Sequence, residues 1–263
     1  MILDEIAART RERIQAEKQR IPAENVRRMA QEAAKAGDRA EFPFAKALRQ
    51  PGLSFICEVK KASPSKGVIA HTFPYCQIAR EYEEAGASAI SVLTEPFYFQ
   101  GSDRYLQEIA QQVQIPIIRK DFTIDPYMID QAKVLGASAI LLICAILEDG
   151  ELEEYQAQAN ELGLSALVEA HDAREVERAL RVGAQIIGVN NRDLKTFQVD
   201  VNNSIRLRGM VPPNIIFVSE SGIKGPVDTR QLYENGTDAV LIGETLMRSS
   251  DKRGMLERLR GQV

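Results

Sequence analysis

Hydrophobic positions along the chain follow one rhythm up to about residue 50 and another beyond it. In the first stretch Ile2, Leu3, Ile6, Ala7 and Ile14 recur at roughly helical spacing among many charges. Apolar residues three or four apart line one side of a helix. Pro22 opens a second helical stretch, Ala23 to Ala36, and Gly37 supplies a stop. The following segment, with Pro43 and Pro51, reads as an extended linker.

From residue 53 short β-branched runs alternate with helical stretches. The runs are Ser54–Val59, Ala89–Leu93, Ile115–Ile118, Ala139–Ile143, Ala166–Val168, Ile186–Val189, Ile215–Val218 and Ala239–Ile242. Near-continuous hydrophobicity with helices between suits parallel strands buried on both faces. Eight such units predict an α/β fold, a (β/α)8 TIM barrel. The organisation expected is a helical extension over 1–50 and a barrel over 51–263, together one domain. An open doubly wound sheet uses the same units, but no G-x-G-x-x-G follows a strand here.

Gly86, Gly136, Gly183 and Gly236 sit at equivalent points of an internal echo with a period of about 50 residues, two strand–helix units. A glycine there ends a helix in the left-handed conformation and turns the chain into the next strand.

Chemistry in such a barrel lies at the C-terminal ends of the strands. The polar residues following the runs are Glu58 and Lys60, Thr94-Glu95, Arg119-Lys120-Asp121, Glu169, Asn190 to Asp193, Ser219 to Gly222, and Gly243-Glu244-Thr245. Glu58 and Lys60 are two apart and point the same way. Amines and carboxylates converging on one small mouth perturb one another's ionisation, which a purely structural rim has no reason to keep. Ser221-Gly222 and Gly243-Glu244 follow the seventh and eighth runs, where barrels commonly seat a phosphate. The loop from Lys60 to Gly67 is basic and rich in turn residues, and reads as a flap over an anion. Phe97-Tyr98-Phe99 reads either as packing against the N-terminal helices or as a wall for an aromatic ligand, which Phe122 would join. His171 reads as a surface histidine at a helix start, and His71 as a loop residue.

Composition narrows the partners. The chain has 263 residues, 44% hydrophobic and 27% charged, with a net charge of −4. A mildly acidic balance argues against a general nucleic-acid or membrane-surface binder. The longest apolar run, Ala139 to Leu147, falls well short of the about 20 residues that span a bilayer. The start lacks a secretory pattern. Cys57, Cys76 and Cys144 contain no CxxC and read as free thiols in a reducing cytoplasm. Neither histidine has metal-ligand spacing.

Glu58-Val59-Lys60-Lys61-Ala62-Ser63-Pro64-Ser65-Lys66-Gly67 closely resembles the signature of the indole-3-glycerol phosphate synthases. Arg119-Lys120-Asp121-Phe122, Val168-Glu169, Gly188-Val189-Asn190-Asn191-Arg192-Asp193, Ser219-Glu220-Ser221-Gly222 and Gly243-Glu244-Thr245 follow in that family's order. The resemblance covers essentially the whole chain. It implies ring closure of 1-(2-carboxyphenylamino)-1-deoxyribulose 5-phosphate, with loss of carbon dioxide and water, in tryptophan biosynthesis. By position, Lys120 is similar to the general acid and Glu169 to the general base. Lys60 matches a lysine that contacts the substrate carboxylate and assists dehydration. Glu58, Asn190, Glu220 and Ser221 match supporting groups. Ser63, Phe99, Phe122, Leu141 and Arg192 match substrate contacts, and Gly222, Gly243 and Glu244 the phosphate seat. The chemistry implied needs no metal or other cofactor. It asks that Lys120 be made acidic by burial or neighbouring cations. An acidic Glu244 beside a dianion is tolerable if only its backbone contacts the phosphate and the side chain turns away.

The partner implied is one small anionic aromatic phosphosugar, with no nucleic acid, no membrane and a monomeric chain. Two alternatives remain at this point. A phosphoribosylanthranilate isomerase-like enzyme would want a cysteine and an aspartate at strand ends, but Cys57 is one residue before Glu58 and hence on the opposite face. A non-catalytic phosphate-ligand binder would keep the pocket alone.

Overall fold

The computed structural model describes residues 2–36, 42–193 and 196–261. Its first elements are α1 (Ile2–Arg20) and α2 (Ala23–Ala36), with Pro22 directly ahead of α2. Gly37, the expected stop, lies outside the described residues. The segment expected to be an extended linker instead holds a short helix, α3 (Pro43–Leu48), with Pro43 in its first turn. A proline there loses no hydrogen bond, because that N–H has no intrahelical partner.

The barrel strands are β1 (Ser54–Val59), β4 (Ala89–Leu93), β5 (Ile117–Lys120), β6 (Ala139–Ile143), β7 (Ser165–Ala170), β8 (Ile186–Asn190), β9 (Ile216–Glu220) and β10 (Ala239–Ile242). They pair in parallel and in sequence order, and β1 pairs with β10 to close the circle. All eight runs are strands in a closed barrel, which rules out the open sheet. Four C-terminal limits differ from the hydropathy reading: β5 continues through Arg119 and Lys120, β7 through Glu169 and Ala170, β8 through Asn190, and β9 through Ser219 and Glu220. Backbone pairing continues past the last apolar side chain, so the polar residues at the mouth sit on the strands themselves.

Between the strands lie α4 (Tyr75–Glu84), α5 (Asp103–Ala110), α6 (Pro126–Val134), α7 (Asp149–Glu161), α8 (Ala173–Arg181), α9 (Asn202–Arg208) and α10 (Pro226–Glu234), and after β10 come α11 (Glu244–Arg248) and α12 (Lys252–Arg260). Helices α4, α6, α8 and α10 end at the four echoed glycines, whose φ values run from 75° to 91°. After α4, Ala87 N–H donates to the Tyr82 carbonyl at 2.9 Å, the six-to-one bond of a Schellman cap. Ala137, Ala184 and Thr237 repeat it after the other three.

Strand alternation splits the core in two. Ile56, Ala89, Ile118, Leu141, Leu167, Ile186, Val218 and Leu241 fill the barrel. Phe55, Cys57, Ile90, Ile140, Val168, Ile187 and Phe217 face the helices. Phe44 and Leu48 of α3 join the inner cluster, and Ser165 Oγ at the start of β7 accepts from Ala45 N–H at 3.3 Å, so α3 plugs the bottom. Leu3 and Ile6 of α1 join it from the opposite end. No helix among the described residues is long and apolar enough to cross a membrane.

Candidate active site

The mouth of the barrel is a cavity of about 600 Å³. Of the sequence candidates, Glu58, Lys60, Ser63, Phe99, Lys120, Phe122, Leu141, Glu169, Asn190, Arg192, Glu220, Ser221, Gly222, Gly243 and Glu244 line it, whereas Thr94, Glu95, Phe97 and Tyr98 do not. They come from all parts of the chain, and the parallel barrel alone brings them to one bowl.

Lys120, at the tip of β5, is the centre. Its Nζ donates to Glu169 Oε2 at 2.9 Å and lies 3.3 Å from Glu220 Oε2. Asn190 Nδ2 donates to Glu169 Oε1 at 3.2 Å, and Asn190 Oδ1 accepts from the Arg192 N–H at 3.1 Å. Lys60 Nζ pairs with Glu58 Oε2, as their spacing on one strand face requires. The Glu220 Oε1 atom is buried without a hydrogen-bond partner. Ser221 and Gly222 both have positive φ, 69° and 86°, so the chain turns sharply as it leaves β9. A non-glycine residue in that region marks local strain of the kind concentrated at functional sites.

Ionisation follows from this packing. Burial opposes the charge on Lys120, but the carboxylates of Glu169, Glu220 and Glu58 outweigh it and raise its pKa. The expected depression does not occur, because Lys120's nearest charged neighbours are acids. Burial likewise opposes the charge on Glu169, and Lys120 and His171 overcome it, holding that carboxyl well below its usual range. Glu220 goes the other way: burial dominates, Lys120 only partly offsets it, and repulsion from Glu169 and Glu58 helps push it up to about 7. Two neighbouring carboxyls thus have proton affinities driven apart, as acid–base sites require.

The rim carries the rest. Phe99 and Phe122 face each other with ring centroids 6.1 Å apart. The remainder of the aromatic loop packs on α1: Tyr98 donates to Glu5 at 2.6 Å, and Arg9 sits over the Phe97 ring. Phe97 and Tyr98 take the packing reading, while Phe99 and Phe122 line the bowl. Glu95 stays out of the bowl and orders the loop, its carboxylate accepting the N–H groups of Phe97, Tyr98 and Phe99. The basic loop after β1 forms a small antiparallel hairpin, β2 (Ala62–Ser63) with β3 (Gly67–Val68), which its turn residues did not reveal. Lys66 at its tip reaches Glu244 at 3.7 Å, and Arg248 holds the same carboxylate at 3.0 Å. The Glu244 side chain is therefore occupied by two cations.

Sequence reasoning missed several groups. Ile2, Leu3 and Ile6 of α1 line the bowl, as do Lys66, Lys224 and Arg248. His171 is no surface residue: its side chain is 15% exposed and wedged between Glu169 and Glu175. The pair was visible as Glu169-x-His171, but nothing in that spacing fixed the direction of the ring. Cys57 is buried in the outer layer, its thiol pushed up by burial, so it is not available to the mouth as an isomerase would need. All three cysteines are free, Cys57 and Cys144 buried and Cys76 half-buried.

Residues 3–259 match the indole-3-glycerol phosphate synthase family. The chain belongs to that family. The indole-3-glycerol phosphate synthase of Ruminiclostridium cellulolyticum is 55% identical over the full length of both chains. That of Lacticaseibacillus paracasei is 55% identical over 97% of each. Among solved structures, 3-hexulose-6-phosphate synthase from Salmonella typhimurium aligns with a TM-score of 0.65, covering 79% of this chain and 97% of its own. At 10% identity that likeness speaks for the fold alone. For a synthase of this family, the bowl is the place where residue roles must be sought.

Proposed function

We propose that the chain performs the family's reaction, closing the indole ring of 1-(2-carboxyphenylamino)-1-deoxyribulose 5-phosphate in tryptophan biosynthesis, and that Lys120, Glu169 and Lys60 carry it. The observation behind the assignment is the Lys120 ammonium held between Glu169 and Glu220 at the centre of the mouth.

The ring carbon bearing the carboxylate attacks the substrate carbonyl, and the carbonyl oxygen takes a proton from Lys120. Its surrounding carboxylates keep that lysine charged, so the acid form is present throughout the neutral range. Transfer is driven by the oxygen, whose basicity climbs as the new carbon–carbon bond forms. The carbon–carboxyl bond then breaks, its electron pair restores the aromatic ring, and carbon dioxide leaves. In dehydration Lys60 protonates the departing hydroxyl and Glu169 removes the ring proton. Loss of the Lys120 proton removes the main attraction holding Glu169 ionised, so the base strengthens after the acid has acted.

Phe99, Phe122 and Leu141 hold the anthranilate ring. Ser63, Arg192, Gly222 and Gly243, with the Glu244 backbone, hold the phosphate. Fixing both ends of a flexible substrate favours the folded, reactive conformer. Glu58, Asn190, Glu220 and Ser221 set the charges and positions of these groups. Residues 1–50 act with the barrel as one unit, which the Phe44–Leu48 plug and the Leu3–Ile6 wall support. One chain supplies all of these side chains, which supports a monomer as the working form, and three free cysteines suit a cytoplasmic one.

Purified protein with synthetic substrate tests the reading through the appearance of indole fluorescence. Lys120→Ala should lower turnover by about 10²- to 10⁴-fold while the protein keeps its circular dichroism and still binds product. Glu169→Gln should cause a comparable loss. Wild-type turnover in either variant refutes the corresponding role.

A further inference from the structure

Behind Glu169, on the side away from Lys120, the chain builds a second layer. Glu169 is the last residue but one of β7, and His171 follows the strand in the turn into α8. The imidazole Nε2 lies 3.4 Å from Glu169 Oε1, and Nδ1 is 3.0 Å from Glu175 Oε2. Glu175 is fixed in turn: its carboxylate accepts the His171 backbone N–H at 2.8 Å, and its own N–H caps onto Asp172 at 2.9 Å. Asn203 of α9 donates to the His171 carbonyl at 2.9 Å, closing the turn.

We propose that His171 is a positioning residue for the Glu169 base: its imidazolium, aimed by Glu175, holds Oε1 so that Oε2 is the oxygen presented beside Lys120. The inference rests on the assignment of Glu169 as base.

A carboxylate that meets Lys120 through one oxygen only can swing about its last bond. Asn190 donates to the other oxygen, and His171 Nε2, buried and without a hydrogen bond of its own, stands 3.4 Å from it in ion-pair contact, outside the bowl where it cannot obstruct substrate. When Lys120 gives up its proton, His171 is the remaining cation against Glu169, so the carboxylate keeps its orientation at the moment it must act. Burial alone would strip the imidazole of its proton. The two flanking carboxylates outweigh that and raise it to about 10. A second cavity of about 570 Å³ lies on the far side of His171 and shares Asn190 and Arg192 with the bowl. Its other charged groups are Asp172 and Glu175 at the start of α8, Asp4 of α1, Asp193 and Asp200 of the β8–α9 loop, and Arg206 of α9, which pairs with Asp200 at 3.0 Å. The carboxylates recorded beside the ring nitrogens are those of Glu169 and Glu175. The ring therefore stands between that cavity and the base.

The test compares pH profiles of kcat and KM for the parent, His171→Ala, Glu175→Gln and Glu169→Gln, with nitrogen NMR of the parent imidazoles; the chain has two histidines, so assignment is direct. The NMR should read His171 as a cation at pH of about 8, where an ordinary histidine is neutral. His171→Ala should lower kcat by about tenfold or more, leave KM within about twofold, and move the acid limb of kcat to higher pH, because a carboxylate that loses a neighbouring cation binds protons more tightly. Glu175→Gln, which lies outside the bowl, should move the limb in the same direction with a smaller loss. A neutral His171 at that pH, or limbs unmoved in both variants, overturns the inference. If His171→Ala does not fold, Glu175→Gln and the NMR still decide. Wild-type turnover in Glu169→Gln would instead refute the base assignment, a result distinct from unmoved limbs in variants of an enzyme that needs Glu169.

Discussion

Arg13 grips Asp121 across 108 positions of sequence, donating to both carboxylate oxygens at 3.0 and 2.9 Å. Arg13 belongs to α1, and Asp121 is the residue after Lys120. Thr94 donates to the same carboxylate at 2.6 Å, and Arg119, almost fully buried, lies 3.6 Å away. Burial opposes ionisation of Asp121, but the two guanidiniums keep its pKa below the usual value. The extension is thus bolted to the strand that presents the central amine. Arg13→Ala should destabilise the fold by about 3 kcal/mol, the lower end for breaking a buried pair, since Arg119 remains. Urea denaturation measures this. A change below about 0.5 kcal/mol, the size of an ordinary surface substitution, would make α1 an independent appendage.

Gly243 owes its identity to a close approach. A Cβ there would collide with Glu58 Oε2 and come within 2.7 Å of Lys60 Nζ. Those atoms are side-chain ends, which can move without unfolding the barrel. Gly243→Ala should therefore keep a near-parental melting temperature while displacing the Glu58–Lys60 pair. Misplacement by about 1 Å is enough to cost about 10²-fold in kcat/KM. Parental kinetics in that variant would show that the pair's position is unimportant.

Glu220 makes stability depend on pH in an unusual direction. Burial raises its folded pKa to about 7, from an ordinary value of 4.5. Between those values the folded state binds the extra proton, so this group's contribution weakens as pH rises through the window. Glu220→Gln mimics the protonated form. Its melting temperature relative to the parent should be near zero difference at pH of about 4.5 and increasingly favourable towards pH of about 8. A difference that does not change with pH would place the proton elsewhere in the cluster.

How much of this was open to sequence reasoning follows from what each feature depends on. The eight strands and their glycine caps depend on local pattern, and Gly86 or Gly236 announces its left-handed turn wherever it stands. Glu58, Lys60, Lys120, Glu169, Asn190 and Glu220 were legible because strand ends in a parallel barrel converge whatever their spacing, whereas Leu141, inside its strand, came from the family resemblance alone. The short helix α3 was not, since Pro43 and Pro51 look alike whether they flank a linker or open a helical turn. The charge state of Lys120 was beyond reach: it is decided by Glu58, Glu169 and Glu220 arriving from three other strands. His171 was misread for the same reason. Its partners are adjacent in sequence, yet only the turn geometry puts the ring between them.

Glu244 offers a test of the anion seat from the opposite sign of charge. Its carboxylate sits on the rim with Arg248 at 3.0 Å and Lys66 at 3.7 Å, engaging two cations that also line the bowl. In the absence of phosphate those pairs are partly solvated and weak, on the order of 0.5 kcal/mol. Glu244→Gln removes the acid, frees both cations for an incoming dianion and leaves the backbone unchanged. Inorganic phosphate should then compete with substrate more strongly, its inhibition constant falling by about two- to threefold, the equivalent of that energy. The effect should shrink with added salt, because the charges are exposed to screening. If phosphate does not compete in the parent, the seat lies elsewhere. If it competes equally in both proteins, Lys66 and Arg248 take no part in holding it.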